Sequence, residues 1–584
     1  MKQGYLLKER LLLIAILMGA LFVRVYKGGD HFTGGDEADR VLYALQLFRG
    51  SLFSIDPLYN PVGRLVIYSY SWIHMVLFSI VIGLASLLRL PLNELVFSLP
   101  NVIEGVASVY LLYLLVKRLS NVRSGLLAAL LLAINPLHVA WSRDTNEGAI
   151  SLFLFMLIIY AFSRYFSNPS PQKGWFASTC FGMYLVQDVR AYFLIPLIPA
   201  LGICEYYATE KRTDTVSKKQ MLKDVFGKLL RKEIVLMPLL FIGFYLLLHA
   251  GFVLAGHPEK GFFGRILVKD MNRYPVWGFH GLAFVRALWP NNGPGLALFA
   301  PLVLLYGMYR SPANPRTAFV VLWALFLALP FLFVLDPSTP GMETEMLQTF
   351  VPIIILTAVF LEESVRRITA PRRSRLARVL IRVVPMTIGV FIVVTTFLGM
   401  YLMVYSVEIK GWRLRPVLSS AHPNYGIKSA GVYLRERADR YARIYSEEEL
   451  TNMMFYANRI SSNWNYKDRD FLLVPKISLR YRERRYPPSE YLRDNYFHVA
   501  EIRSQGKGVL DIFAKEKLPF EVLDVETCDR LFDRKYANLH ELVSAPFCST
   551  QIAQNRLHFE KMDEVYQKWI TAVKEDVKAQ ETIR

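Results

Sequence analysis

The chain has 584 residues, 53% of them apolar, and a formal charge of +19. A water-soluble surface must stay polar, so this composition excludes an ordinary soluble protein, and apolar stretches long enough to span a hydrocarbon core of roughly 30 Å recur along it. Nucleic acid is a poor partner, because no basic domain with interleaved base-stacking aromatics appears; the charge belongs to loops that set membrane topology and face anionic lipid.

The first apolar run, LLLIAILMGALFV from Leu11, follows Lys2, Lys8, Glu9 and Arg10. The residues after it, RVYKGGD, are not a small-residue cleavage site, so the run reads as an uncleaved span. Eleven spans are expected, at about 11–27, 95–116, 124–141, 148–166, 175–187, 192–207, 235–255, 295–309, 316–335, 349–362 and 383–405. The stretch 65–88, LVIYSYSWIHMVLFSIVIGLASLL, is left out of this count and placed in the first outer loop. Its serines, tyrosines, Trp72 and His74 suit a helix dipping into or lying along the interface. Loop charge supports this choice. Without 65–88, the dense Lys/Arg loops 117–123, 208–234, 310–315 and 363–382 fall on the side of the N-terminus, which the positive-inside rule makes cytoplasmic.

From about residue 406 the chain turns polar and rich in Arg and Tyr. GIKSAGVYLRERADRYARI reads as an amphipathic helix followed by a strand, and DFLLVPKI, YFHVAEI, GVLDIFAKE and FEVLDV as strands. The expected architecture is an all-α polytopic membrane domain over 1–405, with outer loops at 28–94 and 256–294, and an extracytoplasmic α/β domain over 406–584. No internal repeat is found. Cys180 and Cys204 lie in apolar segments as packed thiols, whereas Cys528 and Cys548 lie in the tail, where a disulfide between them is a weak candidate.

Two acidic loops carry the candidate chemistry. FTGGDEADRVLYALQLF (32–48) holds Asp36, Glu37, Asp39 and Arg40 just past the first span. SRDTNEGAISLF holds Arg143, Asp144 and Glu147 where the fourth span begins. Asp144 and Glu147 are three apart and share a face if the helix has begun; Asp144 also suits an N-cap. Carboxylates from two loops on one face can bind a divalent cation through oxygen, or one of them can deprotonate a hydroxyl. Arg143, Arg190 in QDVRA and Arg40 are candidates for a phosphate, with interface anchors or ion-pair partners as the plainer alternative. Glu343 and Glu345 in STPGMETEMLQTFVP are candidate metal or acceptor contacts, or plain loop acids. The loop 256–294 sets His257, Lys260, Arg265, Lys269, Arg273, His280 and Arg286 among aromatic residues, which suits either a cap over a phosphate donor or an interfacial belt.

The order of these features resembles the GT-C superfamily of polytopic glycosyltransferases. A first span is followed by an acidic outer loop, then a span ending LLYLLVKRL, a basic turn, and SGLLAALLLAINPLHVAWSRDTNEGAISLF. The resemblance is good over about 5–200, architectural over 235–405 and vague in the tail. DEADR resembles the Asp-Glu motif of the protein mannosyltransferase and aminoarabinose transferase branch, which implies a polyprenyl- or dolichyl-phosphate sugar donor and a role for Asp36 as base, with Glu37 in support. SRDTNEG resembles the second acidic motif of oligosaccharyltransferase catalytic subunits, a metal site, but its carboxylates stand one residue further apart and the Trp-Trp-Asp-Tyr-Gly signature is absent. Where many relatives carry an arginine–tyrosine pair near QTF, this chain has Gln348 and Phe350. The resemblance implies a bacterial or archaeal plasma-membrane enzyme of the mannosyltransferase-like branch, with a protein, glycolipid or glycan acceptor. It needs either no cofactor or a divalent cation, Mn or Mg. En bloc oligosaccharide transfer is the alternative. A transporter is disfavoured by the scarcity of mid-span charges and of repeats, and a non-catalytic scaffold leaves the acidic loops unexplained.

Overall fold

The computed structural model describes residues 2–26, 72–145, 147–210, 218–254, 293–333, 347–368, 375–405, 426–439, 442–446, 460–462, 469–476, 489–504 and 506–537, with residues 41, 44, 45, 280, 284, 456 and 457. They fall into two compact units. The first draws on Met1–Tyr26, Asn101–Ser142 and Glu147–Val404, the second on Lys27–Pro100, Arg143–Asn146 and Tyr405–Arg584.

The helical unit runs α1 (Lys2–Val25), α3 (Glu94–Leu119, from Asn101), α4 (Val122–Ala133), α5 (Pro136–Trp141), α6 (Gly148–Ser167), α7 (Pro171–Gln187), a 3-10 turn (Val189–Phe193), α8 (Leu194–Glu210), α9 (Lys218–Leu229), α10 (Lys232–Leu254), α11 (Pro294–Arg310), α12 (Pro315–Phe333), α13 (Leu347–Ile368) and α14 (Arg375–Tyr405). Among the described residues, six helices are long and apolar enough to cross a membrane: α3, α6, the turn with α8, α12, α13 and the second part of α14. The protein is an integral membrane protein. The stretch expected as one span at 124–141 is broken. Pro136 cannot continue the preceding ladder, and Asn135 caps the new helix by accepting from His138 N–H at 3.0 Å.

Burial sorts these helices. In α6 and α13, 78% of the apolar window is buried, in α14 only 22%, so α6 and α13 are central and α14 presents its Val, Phe and Leu side chains outward, as a lipid-facing helix does. Glycines let neighbours close in. Gly125 on α4 brings its Cα so near α3 that a Cβ would stand 2.9 Å from the Tyr113 carbonyl oxygen. Gly293, at φ 82°, leads into α11 against Thr396 of α14.

One polar cluster ties helix ends together. Glu205 of α8 has a fully buried side chain. It accepts from Ser163 Oγ at 2.5 Å, Ser167 Oγ at 2.8 Å and Arg316 Nη2 at 3.1 Å. Arg118 of α3 donates to Ser163 Oγ at 2.7 Å, and Arg316 of α12 donates to the Arg118 carbonyl at 3.1 Å. Both Glu205 oxygens are therefore satisfied, which is the condition for keeping a carboxylate at this depth. Close by in sequence, Arg310 and Tyr306 bind Glu363, the former at 2.6 Å, and Asn121 binds Glu362 at 3.1 Å.

The second unit holds a six-stranded sheet in the order β2-β1-β3-β5-β4-β6. Its strands are β1 (Arg443–Tyr445), β2 (Ile460–Ser462), β3 (Phe471–Pro475), β4 (Phe497–Ser504), β5 (Lys507–Ala514) and β6 (Glu521–Asp524), with β1 parallel to β2 and β3, β3–β5–β4 antiparallel, and β6 parallel to β4. All four strand segments expected in the tail are strands, and the expected amphipathic helix is α15 (Ile427–Arg437). One sheet face, through Ile502, Leu510 and Ile512, packs under α15 and α17 (Val525–Lys535); α16 (Ser489–Asn495) places Leu492 against Leu472. Residues between the first two expected spans complete the same core: Val41, Ala44 and Leu45, and Phe78, Ile82 and Ala85 of α2 (Trp72–Leu87). These residues of 28–94, a segment assigned from the sequence to the membrane domain, thus share a core with the tail. With 16 residues, α2 rises only about 24 Å, short of a hydrocarbon core, and its opposite face leaves Val76, Ile80, Leu84 and Leu87 exposed.

An ion cluster closes this core. Lys428, 2% exposed, donates to Glu94 at 2.9 Å and to Asp533 at 3.4 Å, while Tyr456 Oη donates to the other Glu94 oxygen at 2.5 Å. Burial pushes the Lys428 ammonium down, but the carboxylates of Glu94, Asp529 and Asp533 outweigh it and hold the group above the ordinary lysine range.

Candidate active site

Three helix ends of the first unit meet at a buried polar cluster. Gly148 opens α6, Gln187 ends α7, and Leu347 opens α13. One turn into α6, Ser151 Oγ lies 2.9 Å from Tyr184 Oη, donates to the Asp188 carboxylate, and accepts from Gln348 Nε2 at 3.1 Å. All four side chains are buried. The single Ser151 proton goes to Asp188, so Tyr184 must donate to Ser151, and every hydrogen in the set points toward the carboxylate. Asp188 is also the C-cap of α7, and its carbonyl accepts from Ala191 N–H at 3.1 Å, which folds the chain into the 3-10 turn carrying Arg190.

A second buried set lies where α1 ends. Arg24 donates to the Ala20 carbonyl at 2.8 Å and the Ala133 carbonyl at 3.3 Å, and its Nη2 is 2.8 Å from His138 Nδ1. A guanidinium only donates, so Nδ1 accepts and the ring proton sits on Nε2. The Leu132 carbonyl 3.2 Å from the same Nδ1 then receives no proton from the ring and accepts instead from Asn135 N–H at 3.3 Å. Ser142 Oγ donates to the His138 carbonyl at 2.5 Å. Only glycine fits at 105, because a Cβ there would stand 2.3 Å from Ser142 Oγ and 2.8 Å from Arg24 Nε. Next to it on α3, the buried Glu104 has no hydrogen-bond partner for either carboxylate oxygen among the described residues. The two sets are neighbours in the fold, since the Trp141 ring packs on Gly148.

The sequence reading missed Arg24, Glu104, His138 and the Ser151–Asp188 pair. The signal for two of them is plain: Arg24 and Glu104 are charges inside apolar runs, LFVRVY and NVIEGV. Of the expected site residues, Asp36, Glu37, Arg40, Glu343 and Glu345 lie outside the described residues, as does the loop 256–294 apart from His280, Phe284, Gly293 and Pro294. Asp144 is buried, but α6 starts at Gly148 with Glu147 as its N-cap, making no side-chain cap bond. Asp144 is therefore neither that cap nor on a helical face with Glu147, and it and Arg143 group with the second unit while Glu147 groups with the first. Arg190 lies on the 3-10 turn. Cys528 is a buried free thiol whose pKa burial pushes up to about 11; Cys548 lies outside the described residues. Among the described residues, no group of three or more His, Cys, Asp and Glu is placed to hold a metal ion.

The comparisons with known proteins bear on this arrangement. The family model of dolichyl-phosphate-mannose-protein mannosyltransferases matches residues 74–222, which contain the carboxylates of these two sets, Glu104 and Asp188. No curated protein matches in sequence. Among solved structures, ArnT from Cupriavidus metallidurans in the apo state superposes with a TM-score of 0.54 at 12% identity, over 88% of this chain and 98% of that one. The same ArnT bound to undecaprenyl phosphate gives 0.52 at 13% identity, over 89% and 100%. The archaeal oligosaccharyltransferase AglB from Archaeoglobus fulgidus, in complex with an inhibitory peptide and a dolichol-phosphate, gives 0.47 at 13% identity, over 78% of this chain. This chain spans 64% of the length of that oligosaccharyltransferase. The fold is that of ArnT: a helical membrane unit with a small sheet-containing unit.

Proposed function

We propose that this chain, with its GT-C fold, is a membrane glycosyltransferase that moves a sugar from a polyprenyl-phosphate donor to a hydroxyl acceptor. The observation that carries the reading is the family-model match over 74–222, inside a chain of that fold. ArnT, whose fold it shares, binds undecaprenyl phosphate, which supports the donor class. The acceptor is a protein, glycolipid or glycan hydroxyl.

In the proposed reaction the acceptor oxygen attacks the anomeric carbon while the bond from that carbon to the phosphate oxygen breaks. The acceptor proton passes to Asp36, with Glu37 in support, and prenyl phosphate leaves with its charge increased. A single displacement inverts the anomeric centre. The leaving phosphate requires cations, for which Arg143, Arg190 and Arg40 are the candidates. The Ser151–Asp188–Gln348 set supports the part given to Arg190, because it fixes the turn that Arg190 sits on. The reaction is assigned to the outer face of a bacterial or archaeal plasma membrane, with the N-terminus and the Arg118–Glu205 end cytoplasmic, as the basic loops require. Metal dependence has two arms: no metal, or Mn²⁺ or Mg²⁺ at Asp144, Glu147, Glu343 and Glu345.

The test is transfer in detergent from a panel of synthetic prenyl-phosphate sugars, reading prenyl phosphate release for wild type and Asp36→Asn. Loss of turnover with donor binding retained supports the reading. An Asp36→Asn variant as fast as wild type would sink the assignment of the base. EDTA followed by Mn²⁺ or Mg²⁺ separates the two metal arms.

A further inference from the structure

The helix α9 is amphipathic in an unusual sense: both of its sides are apolar, and only one is covered. Met221 and Val225 are buried, and Val225 packs against Gly202 of α8 and its neighbour Phe166. Tyr165 Oη donates to the Lys228 carbonyl at 3.0 Å and fixes the helix to α6. On the other side, Leu222, Phe226 and Leu230 follow one another at intervals of four, so they stand in one row. They are 41%, 47% and 75% exposed. The Leu230 N–H bonds the Phe226 carbonyl at 2.9 Å, which carries the row past the helix end. From there exposed apolar surface continues on α10 through Leu236, Leu239 and Leu240.

Lysines flank this row. Lys218, Lys219 and Lys223 project beside it, and Lys232 follows. All four are exposed, and among the described residues none makes an ion pair. From Lys218 to Lys232 there are six cations and a single acid, Asp224, which Gln220 binds at 2.9 Å. A row of Leu and Phe edged by uncompensated lysines is complementary to one thing: an acyl layer beneath phosphate headgroups. A protein partner would need a compensating acidic surface, and none is offered here by the described residues.

We propose that α9 is a docking site for anionic phospholipid, with Leu222, Phe226 and Leu230 at the acyl boundary and Lys218, Lys219 and Lys223 on the headgroup phosphates. The proposal does not rest on the glycosyl-transfer reading. Each lysine near an anionic surface is worth about a factor of five in affinity, so the three together are worth about a hundredfold.

The test uses the full-length protein in nanodiscs of phosphatidylcholine alone or doped with phosphatidylglycerol, with amide hydrogen exchange read over 218–230. Phosphatidylglycerol is expected to slow exchange there in wild type, with a concentration dependence that shifts about a hundredfold upward in Lys218→Gln/Lys219→Gln/Lys223→Gln. The corresponding triple arginine variant keeps the charge and is expected to behave as wild type, which separates lost binding from a damaged fold. Equal exchange in the two lipids overturns the proposal. An undiminished response in the triple glutamine variant overturns it too, as does protection that rises with protein concentration, which would make a second copy the occupant.

Discussion

Replacing Lys428 by methionine probes the ion cluster that closes the sheet unit. The methylene stem keeps its shape, but Glu94 loses its cation and retains only the Tyr456 hydroxyl. Both charged side chains are nearly sealed, Lys428 at 2% exposure and Glu94 at 5%. Breaking such a pair from one side costs about 3–5 kcal/mol, because a buried charge is left uncompensated. That corresponds to roughly a 10²- to 10⁴-fold rise in the opening equilibrium of the unit. Amide exchange of Ala500 and Ile512, at the centre of the sheet, reads it in the full-length protein. In the double variant Lys428→Met/Glu94→Gln the stranded charge is gone, so about 1–3 kcal/mol should return. A single-variant loss under about 1 kcal/mol, or strictly additive losses, would refute the reasoning. Raising pH should leave the pair intact until far into the alkaline range. The Lys428 value is raised on folding, so its contribution is whole below the ordinary lysine pKa and fades only as pH climbs through the higher folded value.

Glu205→Ala strands Arg118 and Arg316 together and should cost about 3–5 kcal/mol, seen as a lower thermal midpoint in detergent; an unchanged midpoint would contradict the network. Gly125→Ala must push α4 off the Tyr113 carbonyl, at about 1–3 kcal/mol, and a variant as stable as wild type would show that the close crossing is dispensable. Ser151→Ala removes the hydrogen bond to the buried Asp188 and should cost about 1–3 kcal/mol; if the proposed reaction holds, sugar transfer falls more than donor binding does. Hydrogen bonds from Lys535 and Tyr536 hold Glu436 below the usual carboxylate range, and those from Lys476 and Arg503 do the same for Glu501. Both values are depressed, so their stabilisation is complete above the ordinary pKa of about 4.3 and disappears as pH falls through the folded values. The thermal midpoint should therefore hold steady above about pH 5 and drop below it, less steeply in Glu501→Gln; a flat acid limb in wild type would exclude these pairs as the cause.

The tail strands were legible as short apolar runs between polar spacers, with partial alternation in β5, where Leu510, Ile512 and Ala514 are buried while Asp511 and Lys507 are not. The helices were legible from apolar length alone. Where α4 ends was not, since apolar length ignores the Asn135 cap and Pro136 that break it. The union of α2 with the tail was invisible for another reason. Its two faces are equally apolar, and composition cannot say that Phe78 and Ile82 join a core with strands more than 350 residues away while Ile80 and Leu84 do not. The acidic loops announce themselves by charge. The Ser151–Tyr184–Gln348 relay does not, because hydroxyls and amides on buried helix faces look like any other apolar helix decorated with small polar groups.

The sharing of one core by Phe78, Ile82 and the strands of the tail has a consequence for synthesis. Glu94 and Lys428 are separated by 334 residues, which at about 5–20 residues per second takes the ribosome roughly 17–67 s to make. For that interval the inner face of α2 has no sheet to lie against and Glu94 has no ammonium. Nascent chains arrested before residue 426 would carry that apolar face uncovered, so quality control can recognise an incomplete copy by its beginning rather than by its missing end.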